Sequence, residues 1–233
     1  MIRFIWEKIK SVSMGRRIAV IGGTGNEGFG IALRLAKAGE QVIIGSRDKG
    51  KADESVQKIM SMVPRAKIEG MENGQAAKNS NIVFLAIPLP ALQSIANSIR
   101  SSLHDNQIVV DVSNPLESYV GGDFRKPINL FQGSVIETVE NWIQKKVKMV
   151  KAFNYVVSGA LREIDKDLDF DVIVCSDYDD AKREVMQLIE KIPKLHPVDG
   201  GSLENSRLVE QITPLLLGIA SREGVQYVGL RIP

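Results

Sequence analysis

Apolar positions along the chain fall into short unbroken runs separated by stretches of helical spacing. Residues 17–21, 41–45, 81–87, 107–111, 149–153 and 171–175 are the runs, and each reads as a strand. Helices are predicted over 28–38, which Gly39 stops, over 51–62, which ends before Pro64, and over 90–100 and 178–192. A further helix over 134–143 opens with Ser134 and, three residues on, Glu137, the pattern of a reciprocal cap. A short strand follows at 194–198. Residues 114–132, with Pro115, Gly121, Gly122 and Pro127, read as a loop. Runs that are apolar throughout suit a sheet covered on both faces. The order predicts an α/β fold with a doubly wound, mostly parallel sheet.

The C-terminal pattern differs. Leu208, Val209, Ile212, Leu215, Leu216 and Ile219 recur at the spacing of one helix face, behind Ser202 as a cap. Tyr227-Val228-Gly229-Leu230 is the one short strand candidate beyond it. Residues 201–233 are therefore expected to form a small helical unit appended to a main domain over 14–200, packed on that domain or on a second subunit. Residues 1–13 place Ile2, Ile5, Trp6 and Ile9 among Arg3, Glu7, Lys8 and Lys10. They read as an extension ahead of Met14 or as an amphipathic anchor, and are too short and charged for a secretory signal.

Composition narrows the function classes. A net charge of +2 gives no reason to expect nucleic acid or an anionic membrane as partner. The uncharged stretch 79–99 holds Pro88 and Pro90, so it reads as strand, turn and helix rather than a membrane span. The single cysteine, Cys175, lies in an apolar run; it has no disulfide partner and no metal-ligand spacing, and the cytoplasm is the simplest compartment. No metal is expected.

The chemistry centres on Gly23-Thr24-Gly25-Asn26-Glu27-Gly28. It follows a strand and opens a helix, the context in which G-x-G-x-x-G binds a dinucleotide pyrophosphate. The glycines permit a tight turn, close approach of backbone to phosphate, and close helix–strand packing. This is a Rossmann-type arrangement. At the end of the next strand, where an NAD site places an acid, stand Ser46 and Arg47, with Lys51 opening the following helix. A hydroxyl and two cations suit the 2′-phosphate of NADP(H); a solvated charged turn is the alternative, and Asp48 sits close by. Later strand ends at Ile87-Pro88, Asn114 and Asn154 should complete the pocket, since ligands lie at the carboxyl ends of such strands. Each asparagine could equally cap its loop.

These motifs, with Gly201-Ser202-Leu203-Glu204-Asn205-Ser206-Arg207-Leu208-Val209-Glu210 and Thr213-Pro214-Leu215, resemble the NADPH-dependent reductases of the deazaflavin coenzyme F420. The resemblance covers nearly all of 14–233. It implies hydride transfer between nicotinamide C4 and deazaflavin C5, the two rings stacked in one cleft, in a homodimer. It assigns Thr24, Gly25, Asn26 and Glu27 to the phosphate loop, Ser46, Arg47 and Lys51 to the 2′-phosphate, and Leu89, Gln93, Val156 and Ser158 to the cleft. Asp111-Val112-Ser113-Asn114 and Lys151-Ala152-Phe153-Asn154 look more like the oxidoreductase domain of six-transmembrane metalloreductases. An NADPH-dependent flavin or ferric reductase, or a non-enzymatic NADP-binding sensor, are thus the alternatives.

Ring-to-ring hydride transfer demands positioning rather than proton chemistry. His104 and His196 have no evident partner, so no catalytic side chain is named; Asn154 is the residue best placed to tune a ring. Asn205 and Arg207, at a helix start, are candidates for holding the acceptor's anionic tail or for a subunit contact.

Overall fold

The computed structural model describes residues 16–232; the extension expected at 1–13 lies outside them. Strands β1 (Arg17–Ile21), β2 (Gln41–Ser46), β3 (Lys67–Glu72), β4 (Ile82–Leu85), β5 (Ile108–Asp111) and β6 (Lys148–Lys151) form one sheet in the order β3-β2-β1-β4-β5-β6. Every pairing in it is parallel. The order reverses between β1 and β4, which opens a crevice at their carboxyl ends.

Two cores lie on opposite faces of this sheet. Helices α1 (Asn26–Lys37) and α2 (Lys49–Met62) pack on one, with α7 (Asp179–Glu190). Helices α3 (Asn73–Lys78), α4 (Leu89–Ile99) and α5 (Val135–Ile143) cover the other. Coverage on both faces is why β4 is apolar throughout and β1 and β5 are apolar except at one end, Arg17 and Asp111. β3 and α3 give no such signal. β3 is an edge strand carrying Lys67, Glu69 and Glu72, and none of its positions is fully buried.

The predicted strand at 149–153 stops at Lys151, because Phe153 adopts φ 63° and turns the chain. Strands β7 (Phe170–Val174) and β8 (Leu195–Asp199) form a separate parallel pair, joined to β6 by a single antiparallel bridge between Lys151 and Cys175. Between them and β6 lies the short helix α6 (Ser158–Arg162).

The C-terminal helix α8 (Ser206–Glu223) follows a 3₁₀ turn at Leu203–Asn205 and carries Pro214 in its interior. The apolar residues grouped on one face by spacing divide here. Val209 is buried against the domain, while Leu208 and Leu215 are 71% and 59% exposed. The segment expected as a strand at 227–230 is not one. It runs beside β7, where the Leu230 carbonyl accepts a hydrogen bond from the Asp171 N–H at 2.8 Å. Among the described residues no helix is long and apolar enough to cross a membrane, and no acidic, histidine or cysteine side chains gather as metal ligands.

Candidate functional site

The glycine loop is built by steric necessity. Gly22 adopts φ 81°, and a Cβ there would lie 2.4 Å from the Ala86 carbonyl oxygen. A Cβ on Gly28 would lie 2.4 Å from the Gly22 carbonyl oxygen. These two positions seat β1, β4 and α1 against one another. Gly25 differs. Its Cβ would meet only the Gly22 carbonyl oxygen at 3.4 Å, in otherwise open space in front of α1. The first N–H groups of α1 face that space.

Three adjoining hollows follow the carboxyl ends of the strands. The first, about 250 Å³, runs from Thr24 and Gly25 to Ser46, Arg47 and Lys51. Arg47 and Lys51 are exposed and enter no ion pair among the described residues. Asp48 lines the same hollow, but its carboxylate also accepts from the Lys51 N–H at 3.3 Å and caps α2. The second, about 320 Å³, is bounded by Asn26, Glu27, Ile87, Pro88, Asn114 and Ser158. The third, about 220 Å³, shares Glu27, Asn114, Asn154 and Ser158 and extends under α8 to Thr213, Leu216 and Leu217.

Asn114, Asn154 and Thr213 form a network where the second and third hollows meet. Asn114 Nδ2 donates to the Asn154 carbonyl at 2.6 Å, and Thr213 Oγ1 donates to Asn114 Oδ1 at 2.8 Å. Asn154 Nδ2 lies 3.1 Å from the Val209 carbonyl and 3.2 Å from Asn114 Oδ1. Both asparagines thus tie strand ends to α8 and also line the hollows. The left-handed backbone at Phe153 places Asn154; it is held by full burial of the ring, edge-on to Phe84 at 6.0 Å.

Buried polar atoms are normally paired. Asn73 Oδ1, Glu27 Oε1 and Asn154 Oδ1 are buried without a partner among the described residues, and these residues line the first, the second and third, and the second and third hollows respectively. Glu27 is partly buried as a residue, but enclosure of its carboxyl pushes its pKa up to about 8. Open space at Gly25, two free cations beside Ser46 and three orphaned atoms along one crevice fit a long, phosphate-bearing, hydrogen-bonding ligand.

Some sequence candidates lie elsewhere. Leu89 packs into the core and Gln93 is exposed; on α4 it is Ala91 and Ile95 that reach the first hollow. Gly23 is buried and serves packing. Val156 is buried and lines the third hollow. Asn205 Nδ2 donates to the Gly200 carbonyl, and Arg207 pairs with Glu137 and Glu204; neither lines a hollow. His104 Nε2 sits 3.2 Å from the Lys78 carbonyl, and His196 is 3.8 Å from Asp169, both away from the crevice. Cys175 is buried, which pushes its thiol up to about 11. Sequence reading missed Asn73, Tyr119 and Thr213. Asn73 follows the unrecognised edge strand, Tyr119 sits in a 3₁₀ turn inside the loop, and Thr213 enters the sequence reading only through the motif Thr213-Pro214-Leu215, with no site role.

Residues 17–115 match the family model described as NADP oxidoreductase coenzyme F420-dependent. The F420-dependent NADP reductase of Methanothermobacter thermautotrophicus is 39% identical over 94% of this chain and 95% of its own length. Human metalloreductase STEAP2 is 28% identical over 92% of this chain, which spans 39% of that protein. A crystal structure from Arthrobacter sp. FB24, solved as an F420-dependent NADP reductase candidate, superimposes with a TM-score of 0.78 at 23% identity, covering 94% of this chain and all of that one. Full-length identity at this level, on a crevice of this shape, means that the chain belongs to the F420-dependent NADP reductases.

Proposed function

We propose that the protein transfers a hydride between NADP(H) and the deazaflavin coenzyme F420. The observation that carries this reading is one crevice with a cationic end, an open glycine loop and a roomier end under α8. In it Ser46, Arg47 and Lys51 hold the 2′-phosphate, and Thr24, Gly25 and Asn26 with the first N–H groups of α1 hold the pyrophosphate. Ile87 and Pro88 support the nicotinamide half, and Asn114, Asn154 and Ser158 orient it. The deazaflavin enters from the third hollow, against Val156 and Thr213.

NADPH supplies the hydride when bound. The protein's work is to hold two rings at about 3–3.5 Å and exclude water. No catalytic side chain is assigned. Asn205 and Arg207 are left out of the acceptor site, because both are engaged in local contacts. The main domain over 14–200 and the C-terminal unit over 201–233 then divide the labour, the first binding NADP(H) and the second closing over the acceptor. The same reading makes the enzyme a cytoplasmic homodimer.

Mixing the protein with NADPH and F420 should bleach the deazaflavin absorbance. NADPH binding without F420 turnover at any pH would overturn the proposal. Turnover of FMN, FAD or a ferric chelate in its place would favour the activity suggested by the metalloreductase relative.

A further inference from the structure

Beneath the network of Asn114, Asn154 and Thr213 lies a charged cluster that hydride transfer does not use. Lys151, at the end of β6, is fully buried. Its Nζ lies 2.6 Å from Asp111 Oδ2 at the end of β5, 2.8 Å from Glu210 Oε1 on α8, and 2.6 Å from the Ser113 carbonyl oxygen. Asp111 and Glu210 are 0% and 1% exposed. Both Glu210 oxygens also accept from the Val135 N–H, the first of α5, at 3.0 Å. One ammonium thus ties together two strand ends, the loop that carries Asn114 and the C-terminal helix. Burying such charges gains little net stability over apolar packing, so their value is geometric.

The geometry has a direction. Residues of α8 line the third hollow and neither of the other two. Glu210 stands one residue after Val209, whose carbonyl meets Asn154, and three before Thr213, which meets Asn114. Loosening Glu210 moves the wall of the third hollow and leaves Arg47, Lys51 and the glycine loop in place. We infer that Lys151, Asp111 and Glu210 are positioning residues that latch α8 over the crevice and set recognition of the hydride acceptor, not the phosphate contacts that hold NADP(H). The inference rests on the acceptor site proposed above. The cluster carries two carboxyls against one ammonium. Burial and the neighbouring Asp111 push the Glu210 carboxyl up, while Lys151 stays protonated between its two acids.

The test uses the full chain with Glu210→Gln, and with Glu210→Asp as a second variant that keeps the charge but shortens its reach. Three quantities are compared: NADPH Kd by fluorescence titration, KM for F420 and Tm. Both variants are expected to raise KM for F420 at least tenfold while NADPH Kd stays within threefold. A lower Tm with KM unchanged would show a purely structural cluster and overturn the inference. Equal changes in KM and NADPH Kd would overturn it too, as would failure of both variants to fold. If wild-type protein binds NADPH but leaves F420 unreduced, the functional reading fails first, and the assignment to the acceptor side falls with it.

Discussion

At the scale of single residues, the proposed preference for NADP(H) rests on Arg47. It is exposed, unpaired among the described residues and beside the buried Ser46 at the mouth of the first hollow. A charge-assisted bond to a 2′-phosphate contributes about 1.5–3 kcal/mol. Arg47→Ala should therefore raise NADPH Kd by roughly 10- to 100-fold and leave NADH Kd nearly unchanged, as read by parallel titrations. Equal losses would show that Arg47 does not read the phosphate. Glu27 makes a prediction about pH. Its carboxyl is pushed from 4.5 to about 8 by burial, so the folded chain keeps a proton that the unfolded chain releases. Its contribution to stability is complete below pH 4.5 and is lost as pH rises through about 8. Ligand-free wild-type protein should lose Tm relative to Glu27→Gln between those limits. Parallel pH profiles for the two proteins would refute a buried, protonated Glu27. The place of Arg47 at the first hollow was legible in the sequence because it is a residue type at a fixed position after a strand. The state of Glu27 was not, because it depends on what encloses the carboxyl in three dimensions.

At the scale of elements, the βαβ unit shows how much a local pattern can specify. Strand, glycine turn and helix were readable because each glycine has a distinct steric task. Those tasks can be separated. Gly28→Ala forces a Cβ against the Gly22 carbonyl and should lower Tm, whereas Gly25→Val places its side chain in open space and should spare Tm while weakening NADPH binding at least tenfold. Similar Tm losses in both variants would contradict this division. Helix α6 shows the opposite case. It is five residues long and has no periodicity to read, yet it sets Ser158 in the crevice. It is held from a distance by Arg34 of α1, which is 3% exposed and donates to the carbonyls of Leu161, Ala160, Glu163 and Lys166 at 2.6–3.0 Å. A guanidinium there satisfies the end of one helix with the side chain of another. Arg34→Met should cost about 2–4 kcal/mol in denaturant unfolding, since it leaves several carbonyls without donors. In sequence Arg34 looked like any polar residue in a helix; only the fold brings it to partners more than 120 positions away.

At the scale of the whole molecule, the doubly wound sheet was legible because β1, β4 and β5 are buried on both faces, and continuous apolar runs have few other uses. The role of α8 was harder to read, because spacing alone does not say which side of a helix meets the domain. Glu210 and Thr213 face inward despite their polarity, since Lys151 and the two asparagines await them. Leu208, Leu215 and Ile219 instead fall within about 40° of arc on another side, with Ile212 at its edge, half-buried against the domain. Leu208 and Leu215 are largely exposed, and Phe131 in the loop ahead of α5 is 99% exposed. An apolar stripe of this kind on a helix that walls the third hollow is suited to burial against a second copy. If the homodimer forms through this face, Leu215→Glu should place a charge on the stripe opposite its own symmetry mate or an apolar neighbour. The variant should then sediment as a monomer at concentrations where wild type is a dimer. NADPH Kd should hold, because no α8 residue lines the cationic hollow or the hollow beside the glycine loop. A Leu215→Glu protein that remains dimeric would move the interface elsewhere, and a wild-type monomer would remove it.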